Sequence, residues 1–358
     1  MQNTDKPPVS SMPQRVNPWL LGAGLLALTL LVMFLSLSMG YSSFTLEEIW
    51  RIFDMKLFGG EPVEDSRVIT IWDVRFPRMM TALLAGAALG LSGAIFQGIL
   101  LNPLADPYTL GVSSGAAFGA SLVIVSTIII PVKFLTYPLS TAVGAFLASI
   151  LTLFLVMTLA TDKEGYLPAP NLILAGVIMS AILSAAISFL KYLAGDQVNS
   201  IIFWLLGSFV AKTWVEALIV LCFFVPCLYI ALYKAVDMNI MTLGVRSAET
   251  LGVNTGRTRF MLLVSASVAA SASVSVAGII GFVGLIVPHV VRLLSGPDHR
   301  ALLPLSAIGG ALLLSAADLT VRVWLPGEIP VGVLTALLAG PAFLVIFRRK
   351  MKEIARAY

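Results

Sequence analysis

The chain has 358 residues, 58% of them hydrophobic and only 12% charged. A soluble domain carries about 25% charged residues, so this composition excludes one and places the chain among polytopic membrane proteins. The formal net charge of +4 comes without a basic block interleaved with aromatics, which excludes a nucleic-acid binder.

Apolar runs long enough to span a bilayer occur at 18–39, 77–101, 111–131, 138–160, 172–193, 214–236, 259–280, 301–322 and 329–347. The first is longer than a signal-peptide core and lacks an A-x-A site, so it stays in the chain. Residues 40–74 follow, rich in Glu47, Glu48, Glu61, Glu64, Asp65 and Asp73. They contain FTLEEIWRIFDMKLF, in which Leu46, Ile49, Ile52 and Phe53 share a face, the pattern of an interfacial amphipathic helix. RFPR at 75–78 opens the second run. Pro77 suits a first helical turn, but Arg75 and Arg78 there oppose the helix dipole, so something acidic must compensate.

GAALG (86–90) and GAAFG (115–119) are G-x-x-x-G patterns that predict close helix packing. Lys212 and Glu216 are spaced to pair at i, i+4. Cys222 and Cys227 are five apart, share no helix face and read as small packing residues. SASVAASASVSVAG (265–278) is nearly all small. GFVGLIVPHVVRLLS (281–295) continues this run past one span. Gly281, Gly284 and Pro288 mark a break there, giving a turn and a short eighth helix, and so an all-α protein of about ten transmembrane helices. SGAIFQGILLNP (92–103) and AGIIGFVGLIVP (277–288) echo one another, which suits an inverted repeat. Asp318 and Arg322 can pair at i, i+4. His289 reads as structural, and two histidines make no metal cage.

Lysine and arginine set the orientation. The basic tail 348–358 is cytoplasmic, and an even helix count puts the N-terminal tail 1–17 on the same side. The loops 237–258 and 295–300 fall inside with them, and 40–74 falls outside. The transmembrane domain covers 18–347.

Several stretches carry a family resemblance. They are RFPR (75–78), GAALGLSGAIFQGILLNPLADPYTLGVSSGAAFG (86–119), AETLG (248–252), GIIGFVGLIVPHVVRLLSGPDHR (278–300), AD (317–318) and EIPVGVLTALLAGPAF (328–343). Together and in this order they resemble the FecCD-type permease family of type II ABC importers, which carry iron–siderophore, haem and cobalamin. The resemblance implies a transport subunit of the bacterial inner membrane that works by ATP-driven alternating access and performs no bond chemistry. No G-x-x-x-x-G-K-[ST] occurs in the chain, so no cofactor is expected on it. ATP and magnesium belong to two partner ATPase subunits. A second permease copy, a soluble extracytoplasmic binding protein and membrane lipid are the other implied partners.

The resemblance also assigns residues. Arg75, Arg78 and Arg322 match positions that dock the binding protein; snorkelling to lipid phosphates is the other reading. Leu243, Ala248, Glu249, Leu251 and Gly252 match coupling helices that press on the ATPase, with Leu243, Ala248 and Leu251 on one amphipathic helix and Gly252 as its stop. Ala169 and Pro170 stand where cobalamin permeases carry a small polar gate. Phe203 and Trp204 match a short helix lining the outer pathway, where they contact cargo or pack in the core. Cargo is iron–siderophore or haem, with cobalamin as the alternative. A rival class, an ion-coupled secondary transporter, would rest on Asp318 as the one acid well inside a span.

Overall fold

The computed structural model describes residues 16–129, 138–163, 166–325, 327–341 and 348. The basic tail beyond 348, residues 1–15 and the end of the last predicted span lie outside them. Among the described residues, eight helices are long and apolar enough to cross a membrane: α1 (Pro18–Ser38), α3 (Asp65–Ile99), α4 (Val112–Ile129), α5 (Pro138–Ala160), α6 (Ala169–Ala194, continued by α7, Val198–Leu205), α8 (Trp214–Tyr233), α11 (Thr255–Ala277) and α13 (His299–Trp324). Two shorter apolar helices, α12 (Val283–Ser295) and α14 (Val331–Pro341), complete the expected ten. Outside the bundle lie α2 (Leu46–Phe58), α9 (Ala235–Met241) and α10 (Val245–Thr250).

The helix α3 is the centre of the bundle. Its most apolar stretch is 89% buried, against 17% for α1, which faces lipid. Glycine makes this burial possible. A Cβ at Gly86 would overlap the Gly310 carbonyl, and one at Gly90 the Ser306 carbonyl, so α3 and α13 meet backbone to backbone as small-residue spacing allows. Gly119 does the same for α4 against α5 at the Gly144 carbonyl, and a Cβ at Gly115 would overlap Thr152 Oγ1. The small face of α11 is buried throughout Ala266–Ala277 apart from Val268. Ser92 Oγ donates to the Ala266 carbonyl at 2.9 Å, and Ser149 Oγ lies 2.8 Å from Ser271 Oγ.

Four expectations need correction. The helix that carries RFPR already begins at Asp65, well before the predicted start at 77. Val68 and Ile71 are buried with Ile49 and Ile52 of α2, and this contact extends the helix. The amphipathic α2 forms as predicted, with a Thr45/Glu48 capping box, but Leu46 points away from the buried face. The break after α11 falls at Gly278–Phe282, where Gly278 and Phe282 have φ of 76° and 69°; Gly284 and Pro288 lie inside α12. The echoing segments 92–103 and 277–288 are not equivalent elements. The first ends α3 and enters a loop, and the second straddles the break. Instead they touch, for a Cβ at Gly93 would overlap the Gly284 carbonyl. Of the two free cysteines, Cys227 packs in the core and Cys222 is exposed.

Candidate functional site

One end of the bundle gathers the three predicted arginines. Inside α3, residues Ile69–Arg75 form a π-helical segment. In that register an N–H bonds five residues back, as Phe76 N–H does to the Ile71 carbonyl. Pro77 has no N–H to offer Trp72, and the indole Nε1–H of Trp214 supplies one at 3.2 Å. Trp72, Phe76, Trp214 and Phe53 then stack as a cluster with ring centroids 4.9–5.7 Å apart.

The helix therefore starts a turn and more before RFPR, and the expected clash with its dipole does not arise. Arg75 donates to the Leu37 carbonyl at 2.7 Å and to the Ser42 carbonyl at 2.5 Å, and lies 4.9 Å from the Phe44 ring centroid. Arg322 donates to the Ser36 carbonyl and, at 3.0 Å, to Ser36 Oγ. Ser36 and Leu37 end α1, so both cations sit where a helix C-terminus has unpaired carbonyls and negative partial charge. Arg78 binds Asp318 through Nε at 3.1 Å and Nη2 at 2.9 Å, and Glu328 through Nη1 at 2.8 Å. It joins α3, α13 and the segment before α14. The predicted Asp318–Arg322 pair does not form, because Arg78 takes Asp318. Arg75 and Arg78 are 6% and 7% exposed, so these guanidiniums face the protein's own carbonyls and carboxylates. Glu328, Trp214 and the carbonyls ending α1 complete this site. Sequence reasoning missed them, and only Glu328 stood in a quoted motif.

Two interruptions between the spans meet. The loop after α3 returns through a short 3-10 turn, Pro107–Leu110, capped by Asp106, whose side chain accepts the Thr109 N–H at 2.9 Å. Tyr108 OH donates to the Ile280 carbonyl, in the break after α11, at 2.7 Å. Trp204 of α7 packs beside Tyr108 and Ile279 and lines a cavity of about 220 Å³ with Thr141, Ser200, Lys212, Glu216 and Ser275. Phe203 is exposed. Lys212 and Glu216 lie close enough to interact electrostatically, while the Glu216 carboxylate accepts from Thr213 N–H at 2.9 Å in a capping box.

The opposite end carries a two-helix knob, α9 and α10. Ala248 is buried on Met241 and Val253, while Leu243 and Leu251 are 64% and 61% exposed and Val245 is also exposed. Leu243 and Leu251 thus flank α10 and point outward, rather than sharing a face with Ala248. Glu249 accepts from Thr255 Oγ1 at 2.9 Å, and Gly252 closes the helix at φ 85°, a conformation that favours glycine.

The knob is tied to the spans. Asn239 Nδ2 donates to Asp298 at 2.7 Å, Asn239 Oδ1 accepts the His299 N–H at 2.9 Å, and Thr258 Oγ1 donates to Asp237 at 3.3 Å. The Arg300 guanidinium on Asp298 holds that carboxyl well below the usual range. Ala169 and Pro170 start α6 beside the knob. Between them lies a cavity of about 530 Å³ lined by Tyr166, Val245, Arg246, Glu249 and Phe260, and Arg259 Nη1 bridges its wall to the Leu167 carbonyl at 2.8 Å. Among the described residues no His, Cys, Asp and Glu cluster could hold a metal.

The described residues thus form ten apolar helices with a buried central helix, a break between α11 and α12 and an exposed knob. Residues 28–349 match the FecCD transport family. The chain belongs to that family. It is 37% identical over 345 residues to the hemin transport system permease protein of Yersinia pestis, covering 96% of this chain and 99% of that one. A cobalamin import system permease protein of Halobacterium salinarum is 40% identical over 288 residues, covering 80% and 75%. A solved inward-facing transporter, described as of metal-chelate type, aligns with a TM-score of 0.79 and 32% identity over 93% of this chain and 99% of that one. The protein is thus a multi-pass membrane permease of an ABC importer, a family that works with an ATPase on another subunit and with a substrate-binding protein.

Proposed function

We propose that this permease moves an iron–siderophore or haem across the bacterial cytoplasmic membrane by ATP-driven alternating access. The knob carries this reading. Leu243, Val245 and Leu251 are apolar side chains exposed on a charged end of the molecule, on a small body hydrogen-bonded to both α11 and α13. Such a surface fits a partner that pushes, and a partner ATPase is the partner an ABC permease has. Charge sets the sides. Lys234, Arg246, Arg257 and Arg300 gather at the knob end, whereas Arg51 and Arg67 around α2 are paired with Glu47, Glu48 and Glu64; this supports a cytoplasmic knob, with the arginine end receiving the binding protein. Arg75, Arg78 and Arg322 shape that seat from beneath by fixing α1, α3 and α13 to one another.

A second copy packs against α6, whose Leu174, Val177, Ile182 and Phe189 are exposed. The pathway then runs between the copies from Phe203 and Trp204 to a gate at Ala169 and Pro170. Movement of the knob reaches that gate across the Arg259–Leu167 bridge. An ion-coupled mechanism has less support, because Asp318 is clamped by Arg78. Cobalamin is the alternative cargo, since relatives are named for it as well as for hemin.

The test is uptake into proteoliposomes that hold the permease with its ATPase and binding protein, with ATP inside or absent. Radio-iron as a siderophore chelate, haem and cobalamin are offered in turn. ATP-dependent accumulation of iron chelate or haem is expected. ATP-dependent uptake of cobalamin alone would reassign the cargo, and uptake of any of the three without ATP would overturn the mechanism.

A further inference from the structure

The lipid-facing helix α1 touches α13 along only one line. Leu21 and Leu25 pack against a core that includes Leu302 and Leu305. Beside that line the helices part and leave a groove of about 740 Å³, lined by Trp19, Gly22, Ala23, Leu26, Pro304 and Ile308 along its length. Both walls are spans, and Trp19 and Leu26 are exposed, so the groove opens sideways into the bilayer. Its α1 wall runs from Pro18 to Leu26, about 12 Å at 1.5 Å per residue. One leaflet's hydrocarbon is about 15 Å thick.

The mouth of the groove is polar. Arg300 lies on Asp298 through Nε at 3.1 Å and Nη2 at 2.8 Å, with its side chain 69% exposed. A guanidinium has five N–H donors, and Asp298 leaves several of these facing outward. Pro304 has no N–H, so the Arg300 carbonyl four residues back loses its helical donor beside the same mouth. Trp19, 86% exposed, stands at this level as tryptophans do at a membrane interface. The mouth therefore presents free N–H donors for an anion next to a carboxylate and a bare carbonyl that accept from a cation. The body of the groove presents hydrocarbon.

We propose that this groove holds one phospholipid whose head carries both a phosphate and a primary amine, of the phosphatidylethanolamine class. The phosphate accepts from Arg300, the ammonium donates to Asp298 and the Arg300 carbonyl, and an acyl chain lies along Gly22 and Ala23. A choline head has no N–H to donate and a glycerol head no cation, so the pattern discriminates between lipids of equal chain length. Because Asp298 also accepts from Asn239 at 2.7 Å, the bound head is one side chain away from the knob.

The test is native mass spectrometry of the purified, delipidated full chain in detergent, titrated with ethanolamine, choline and glycerol phospholipids of matched chains. One ethanolamine lipid per chain, held at least about tenfold more tightly than the other two, is expected from two charge-assisted hydrogen bonds. Asp298→Asn, which keeps the helix cap but removes the carboxylate charge that the ammonium meets, should reduce that preference towards the level of the choline lipid. Ala23→Trp, which fills the apolar length from the lipid side, should lower retention of all three. Equal retention of the three heads by the unaltered chain, or an ethanolamine adduct unchanged in both variants, would overturn the assignment.

Discussion

Arg78 is a residue whose loss the structure makes costly. Its guanidinium neutralises Asp318 inside the bundle, where the Asp318 side chain is 3% exposed. Removing one member of such a pair leaves a buried charge unmatched, at a cost of about 3–5 kcal/mol. Arg78→Ala should therefore lower stability by that order in denaturant unfolding in detergent. Arg78→Ala with Asp318→Asn together should recover much of the loss. A single variant as stable as the parent would mean that the pair is not closed in the folded protein.

Asp106 makes a second prediction at this scale. Burial pushes its carboxyl up to about 6, above the usual value of about 3.9, so the folded chain binds this proton more tightly than the unfolded chain. That contribution to stability is complete below the ordinary value and is lost as pH rises towards the folded one. Asp106→Asn keeps the cap and cannot titrate. Between about pH 4 and 6 the parent should lose stability relative to the variant, and parallel pH profiles would rule the assignment out.

At the scale of elements, the knob separates packing from coupling. Ala248 is wholly buried, whereas Leu243 and Leu251 touch solvent. Exposed substitutions away from special features usually cost less than about 0.5 kcal/mol. Leu243→Asp with Leu251→Asp should leave the chain folded by gel filtration and thermal unfolding, yet uncouple ATP hydrolysis from uptake in reconstituted vesicles. Coupled uptake at the parental rate would take these two leucines out of the ATPase contact. The sequence showed that a short helix stops at Gly252. It could not show which leucines face out, because six helical residues, Val245–Thr250, have too few turns for a periodicity to define a face. The same limit applied to the start of α3. DSRVITIWDVR reads as polar and external until α2 folds onto Val68 and Ile71, a contact that only tertiary structure reveals.

Across the whole molecule, hydrophobic run length was the most legible signal, and the ten helices follow from it. The G-x-x-x-G pairs were equally readable, since a missing side chain at i, i+4 has a direct packing consequence on α3 and α4. What escaped was partner choice over long separations. Arg322 and Asp318 stand one helical turn apart and suit one another locally. The fold offers each something better, Ser36 to the one and Arg78 to the other, and nothing within a window of twenty residues announces this.

The hydrogen bonds that Arg75 and Arg322 make to the end of α1 also bear on the order in which the chain is built. Domains made first generally fold first during synthesis, and α1, the most apolar span together with α8, enters the bilayer ahead of everything it touches. The carbonyls of Leu37 and Ser36 at its end must then wait at the membrane surface for donors 38 and 286 residues downstream, respectively. Leu305 and its neighbours, which pack against the flank of α1, arrive almost as late. Until α13 has been translated, α1 is held at its Leu37 end, by Arg75 and by the contact with α2. Closure of the arginine end is accordingly one of the final acts of the protein's assembly.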